Sequence, residues 1–102
     1  MSQTKMASSA DVQAIQVFHY TNEHGSINRY DAEEVGVCHL ATRIIELKDL
    51  GVVFDYIDEN NIEDRCGYEH NGIRRYFINW QKMSPEAIQY FTRVLDARRN
   101  NG

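Results

Sequence analysis

No stretch of the chain is apolar for long enough to cross a membrane, and the polar N-terminus lacks the hydrophobic core of a secretion signal. Cysteine is scarce. Cys38 and Cys66 stand far apart and, without a secretion signal, read as free thiols in a reducing cytoplasm. Excess positive charge is missing too. The formal net charge of -4 argues against a protein that coats nucleic acid non-specifically, because such binding needs summed positive charge. It leaves room for a specific binder with its basic groups gathered on one face. There is no repeat, no low-complexity tract, no nucleophile elbow, no phosphate loop and no framed carboxylate pair, so the sequence reads as a non-enzyme. Cys66-x-x-x-His70 and the pair Cys38-His39 fall short of a zinc site, which brings paired ligands on tight turns at both ends. Neither a metal nor a cofactor is expected.

A length of 102 residues suits one small domain. Residues 1–8 read as a disordered lead-in, 9–98 as the domain and 99–102 as a frayed tail. Ser9 or Asp11 caps a first helix that runs to about Glu23, with Ala10, Ala14, Ile15, Val17 and Phe18 as its apolar stripe. Ser26-Ile27 is long enough only for a bridge strand. Asn28 is a good cap for a short second helix, Arg29 to Val35, with Asp31 at its third position. Gly36 suits the left-handed position that ends it.

After Val37 the pattern predicts a third helix from Cys38 to Leu50. Leu40, Ile44, Leu47 and Leu50 fall on one face, while Thr42, Glu46 and Asp49 point away and His39 and Arg43 lie on the flank. Ile45 is apolar yet placed toward solvent. Residues 52–57 read as a strand, 58–72 as a polar loop of about fifteen residues, which is long for a tight domain, and 73–80 as a second strand pairing antiparallel with the first. On that strand Tyr76, Ile78 and Trp80 share one face. Ser84-Pro85-Glu86, which holds the one proline, marks the start of a last helix that reaches about Arg98, with Ala87, Ile88, Phe91, Val94 and Leu95 inward.

Three helices with a glycine turn between the second and third make a helix-turn-helix, and a hairpin directly after them makes its winged version. The expected class is therefore α+β and mostly helical: a winged helix-turn-helix with a two-stranded wing and an additional C-terminal helix. The stretch GSINRYDAEEVGVCHLATRIIELKDLGVVF resembles the small helix-turn-helix domain common in bacteriophage and prophage proteins. Its pattern is matched at Gly25, Ser26, Ile27, Glu33, Gly36, Val37, Leu40, Arg43, Ile44, Leu47 and Gly51. The likeness covers residues 25–54 and, more weakly, 72–80. It implies sequence-specific binding of double-stranded DNA in a bacterial cytoplasm, by a transcriptional regulator or a DNA-transaction accessory factor. The chain departs from the pattern where the third helix opens. Cys38 and His39 stand where the family has a hydroxyl and an arginine.

The candidate DNA contacts are Arg29, His39, Thr42, Arg43, Lys48, Arg74 and Arg75. Arg43 has two readings, a base or phosphate contact and a clamp onto Glu33 or Glu34. Ile45 can touch a thymine methyl, mark a protein contact, or be one ordinary exposed isoleucine. Arg74 and Arg75, with Arg65 and His70 in the loop, form the best basic patch. Asp55, Asp58, Glu59, Glu63 and Asp64 oppose it. The alternative function follows from those acids: a protein-binding module, for instance a phage inhibitor that docks Asp58, Glu59, Glu63 and Asp64 on a basic, nucleic-acid-binding host protein. A homodimer through Ile88, Phe91 and Leu95 of the last helix is a further expectation, against the simpler one that these residues cover the chain's own core.

Overall fold

The computed structural model describes residues 9–101, with side chains from 12 to 98. The expected lead-in at 1–8 and the final residue lie outside that range. The architecture is α+β: α1 (Ser9–His24), α2 (Arg29–Glu34), α3 (Leu40–Asp49), β1 (Phe54–Glu59), β2 (Ile62–Glu63), β3 (Glu69–His70), β4 (Ile73–Ile78), a single 3-10 turn (Trp80–Lys82) and α4 (Pro85–Asn101). No helix among the described residues is long and apolar enough to cross a membrane.

The bounds of α2 and the start of α4 have local causes. Asn28 caps α2 with its side-chain oxygen, which accepts from the amides of Tyr30 (3.0 Å) and Asp31 (2.9 Å). The Asp31 carboxylate returns the favour by accepting from the Asn28 amide at 3.0 Å, which completes a capping box. Gly36, at φ +79, reverses the chain so that the Val37 amide bonds back to Ala32 and Val37 enters the core. Ser84 accepts from the Ala87 amide at 3.1 Å, one residue before Pro85 opens α4.

The core lies between α1, α3, α4 and one face of the sheet. Val17, Phe18, Leu47 and Phe91 are wholly removed from solvent. The rings of Phe18 and Phe91 meet at 4.6 Å between centroids, and Trp80 sets its ring edgewise against Phe18 at 5.8 Å. Gly51 lets α4 come this close. A Cβ built there would lie 2.7 Å from the Ala87 Cβ, at a φ of +108 that side chains rarely adopt.

β1 and β4 pair antiparallel with Tyr56 opposite Tyr76 and Asp58 opposite Arg74. Ile27 lies against β4 as well. Its amide donates to the Tyr76 carbonyl at 3.0 Å and its carbonyl accepts from the Tyr76 amide at 2.8 Å. The single bridging residue between α1 and α2 thus extends the sheet, as Ser26-Ile27 led one to expect.

Several expectations change. α3 begins at Leu40 and not Cys38, because His39 holds a left-handed backbone (φ 58, ψ 58) that a right-handed helix cannot include. Leu50 is the C-cap and is 49% exposed, and Val52 fills the core position in its place. β1 is shifted to 54–59. The expected loop contains its own small hairpin, β2 with β3, in which Ile62 faces His70. β4 stops at Ile78. Trp80 belongs to the 3-10 turn and not to the strand face of Tyr76 and Ile78. α4 continues through Asn101 where a frayed tail was expected.

Candidate nucleic-acid interface

α3 presents Ala41, Thr42, Ile45, Lys48 and Asp49 to solvent, while Leu40, Ile44 and Leu47 anchor it from behind. Beside its first turn runs an open groove of about 510 Å³ lined by Arg29, Glu33, Val37, Cys38, His39, Leu40 and Ala41. A second groove of about 190 Å³ shares Arg29, Leu40 and Ala41 and continues to Ile73, Arg74 and Tyr76 on the sheet. Of the expected contact residues, Arg29 lines both depressions, His39 only the first and Arg74 only the second. Thr42 and Lys48 stand exposed on the adjoining helix face.

The structure holds each of these side chains differently. Arg29 is exposed and lies over the ring of Tyr30 at 5.4 Å. Arg74 stacks on Tyr56 at 3.8 Å and reaches Asp58 at 3.5 Å, with both members of the ion pair about half exposed. Its desolvation lowers the guanidinium's affinity for its proton, but Tyr56 and Asp58 outweigh this and hold it above the usual value. The stacked ring gives Arg74 a fixed direction without enclosing it.

Two of the expected contacts are turned inward. Arg43 does not reach Glu33 or Glu34. It pairs along its own helix with Glu46 at 3.0 Å, only 12% exposed, with Nε and the Glu46 oxygen shielded from water and poorly aligned for a hydrogen bond. Arg75 is the hub of a polar lock. Its guanidinium donates to Ser26 Oγ and Asp31 Oδ2, both at 3.0 Å, and forms an ion pair with Glu59 Oε1 at 2.9 Å. Burial pulls its pKa down, and Glu59 and Asp31 more than reverse that. Glu59 also accepts from the buried Asn28 amide group at 3.4 Å, so the α2 cap and the sheet share one network. Arg74 and Arg75 are adjacent in sequence, yet they do not form a joint basic patch.

The acids expected to repel a phosphate backbone are largely engaged. Asp58 faces Arg74 and Glu59 faces Arg75. Asp64 organises the tip. One oxygen accepts from the amides of Cys66 (2.8 Å) and Tyr68 (3.0 Å), and the other meets His70 Nε2 at 2.8 Å. The hydrogen bond from His70, with help from those amides, holds this carboxyl below its usual range. Glu63 is exposed and stands opposite Glu69. The surface assigned to a basic protein partner thus contains one acid, Glu63, that no ion pair among the described residues engages. Cys66 is exposed while His70 is turned to Asp64, and among the described residues no three His, Cys, Asp or Glu groups gather as a metal site.

Of the three α4 residues expected at a dimer contact, Phe91 is fully inside the core, Leu95 is packed against it, and only Ile88 is exposed, at 37%. Phe91 covers the chain's own core and is not available to a partner.

The residues that sequence reasoning missed are Tyr56, which orients Arg74, Ser26 and Asp31, which accept from Arg75, and Asn28, which donates to the Glu59 paired with it. The charge opposition of Asp58 to Arg74 was a usable signal once the strand register is known. No family model, no curated protein and no solved structure matches this chain.

Proposed function

We infer that the chain is a winged helix-turn-helix protein that binds duplex DNA sequence-specifically in a bacterial cytoplasm, as a transcriptional regulator or DNA-transaction accessory factor of the phage kind its sequence resembles. The observation that carries this reading is that Arg29 lines both depressions beside the first turn of α3, with His39 at the one and Arg74 at the other. The element order supports it too: Ile27 bridges to β4 between α1 and α2, and the β1–β4 hairpin follows α3 directly. In this arrangement α3 enters the major groove, and the backbone beside it lies against the depressions. Arg29, Lys48 and Arg74 neutralise phosphates, and Thr42 and His39 face base edges. Arg43 and Arg75 hold the scaffold. The action is steric: an occupied site is closed to other proteins.

The test is fluorescence anisotropy of labelled random-sequence duplex across a salt series. With about three phosphates neutralised, log affinity falls with log salt at a slope near about -2.7, and Arg74→Ala reduces the slope by about 0.9. Absence of binding at every salt concentration, to random duplex and to duplexes selected from a library alike, refutes the reading and redirects the search to a basic protein partner, for which Asp58, Glu59 and Asp64 would have to leave their present partners and Glu63 would not.

A further inference from the structure

α3 is poorly equipped to read guanine. Guanine offers two acceptors in the major groove, N7 and O6, and is read by a forked or terminal cation. The one arginine of α3, Arg43, is 12% exposed and paired with Glu46. Lys48 lies in the last turn. Between the ends of the helix the outer face offers Ile45, 57% exposed, the largest apolar side chain α3 leaves in water. All four of its neighbours at helical spacing are exposed with it: Ala41 and Thr42 toward the start, Lys48 and Asp49 toward the end. Thymine alone carries a methyl group in the major groove. The methyl groups of Ile45, Ala41 and Thr42 form the matching apolar surface. Arg29 before them, and Lys48 after them, supply the phosphate contacts that fix the helix over the bases.

We propose that Ile45 is a specificity-determining residue that reads thymine methyl groups, so that this chain selects thymine-rich major-groove sites over guanine-rich ones. The inference rests on the DNA-binding reading above. Ten residues of helix span about 15 Å, or about four base-pair steps, so Ile45 reaches one or two methyl groups near the centre of the contact. Each methyl contacted contributes about fourfold in affinity.

The experiment selects bound sequences from a random duplex library with the full chain and takes the best-retained duplex. Each thymine is then replaced in turn by deoxyuridine, which removes the methyl and keeps every hydrogen-bonding group. Wild type is expected to enrich thymine-rich sites and to lose about fourfold in Kd at one or two central positions. Ile45→Ala is expected to lose as much on the thymine duplex and to become indifferent to deoxyuridine at those positions. Circular dichroism checks that this exposed substitution leaves the fold intact. Enrichment of guanine-rich sites, or an Ile45→Ala protein that still responds to the methyl, overturns the inference and leaves DNA binding standing. A library from which nothing is retained at any salt overturns both.

Discussion

The Arg75 lock can be separated from the Arg74 pair by substitution, because neighbouring arginines sit in different environments. Arg75→Met keeps the length and apolar stem of the side chain and removes two charge-assisted hydrogen bonds at 3.0 Å and an ion pair at 2.9 Å. Fully buried bonds of this type contribute about 1.5–3 kcal/mol each. Here the three participating charged side chains are 22–26% exposed, so water screens and partly replaces what is lost. Asp31 also keeps its capping role through the Asn28 amide. A net loss of about 2–3 kcal/mol follows, which for a domain of this size lowers Tm by about 10–20 °C. Arg74→Met removes a pair whose members are 46% and 54% exposed and should cost under about 1 kcal/mol. The assay is urea and thermal unfolding followed by circular dichroism, with Glu59→Gln added to close a double-mutant cycle on Arg75. A coupling of at least about 1 kcal/mol is expected. If Arg75→Met is no more destabilising than Arg74→Met, or if the cycle shows no coupling, the lock is a surface pair and Arg75 returns to the list of DNA contacts.

Two further outcomes test the packing and the charge state of the core. Gly51→Ala drives a methyl to 2.7 Å from Ala87 at a φ of +108, so a loss of about 2–4 kcal/mol is expected, and Ala87→Gly in the same chain should recover part of it in urea unfolding. His19 is 8% exposed on α1, and burial, then the nearby Arg98, lower its pKa against the weaker opposing pull of Glu23. A depressed histidine means that the unfolded chain takes up the proton more readily. The stability linked to His19 is therefore complete above its unfolded value of about 6.5 and is lost as pH falls through that value toward the folded one. Tm measured from pH 7.5 to 5 should fall, and His19→Phe should flatten the profile. A wild-type profile that rises on acidification contradicts the assignment.

How far the sequence reveals the fold depends on how local each cause is. The α2 cap is legible because Asn28 and Asp31 are three residues apart and need no tertiary partner. The buried positions Ala14, Val17 and Phe18 follow from helical spacing alone. The start of α3 was misread because the apolar rhythm says nothing about His39 adopting left-handed backbone, and no side chain caps the helix there. The tip hairpin was read as loop since its strands are two residues long and carry no alternation. Side chains define it instead: Asp64 over the turn, Asn60 on the Gly72 amide and Asn71 on the Asn61 amide. The engagement of Arg75 is illegible in sequence for the opposite reason. Its partner Asp31 lies 44 residues away, and a pair of adjacent arginines looks like a basic patch until the strand turns them to different partners.

That division also bears on how an acidic chain can favour DNA. A cation serves a phosphate only if it can leave its present partner at little cost. The Arg74–Asp58 pair, about half exposed on both sides, is worth under about 1 kcal/mol and exchanges readily for a phosphate oxygen. The Arg75 and Arg43 pairs, shielded and tied to the scaffold, do not exchange. Freed from Arg74, Asp58 stays beside the backbone and repels it. The Arg74 contact therefore carries a built-in opposing charge, which weakens random-sequence binding more than it weakens a site where the bases contribute their own contacts. On the DNA-binding reading, a net charge of -4 would act as a filter: affinity for arbitrary duplex would be held low, and the ratio of specific to non-specific binding would rest on the exposed face of α3. Asp58→Asn tests this directly. It should strengthen binding to random duplex by more than it strengthens binding to the selected site, and equal gains on both would show that the acid plays no part in discrimination.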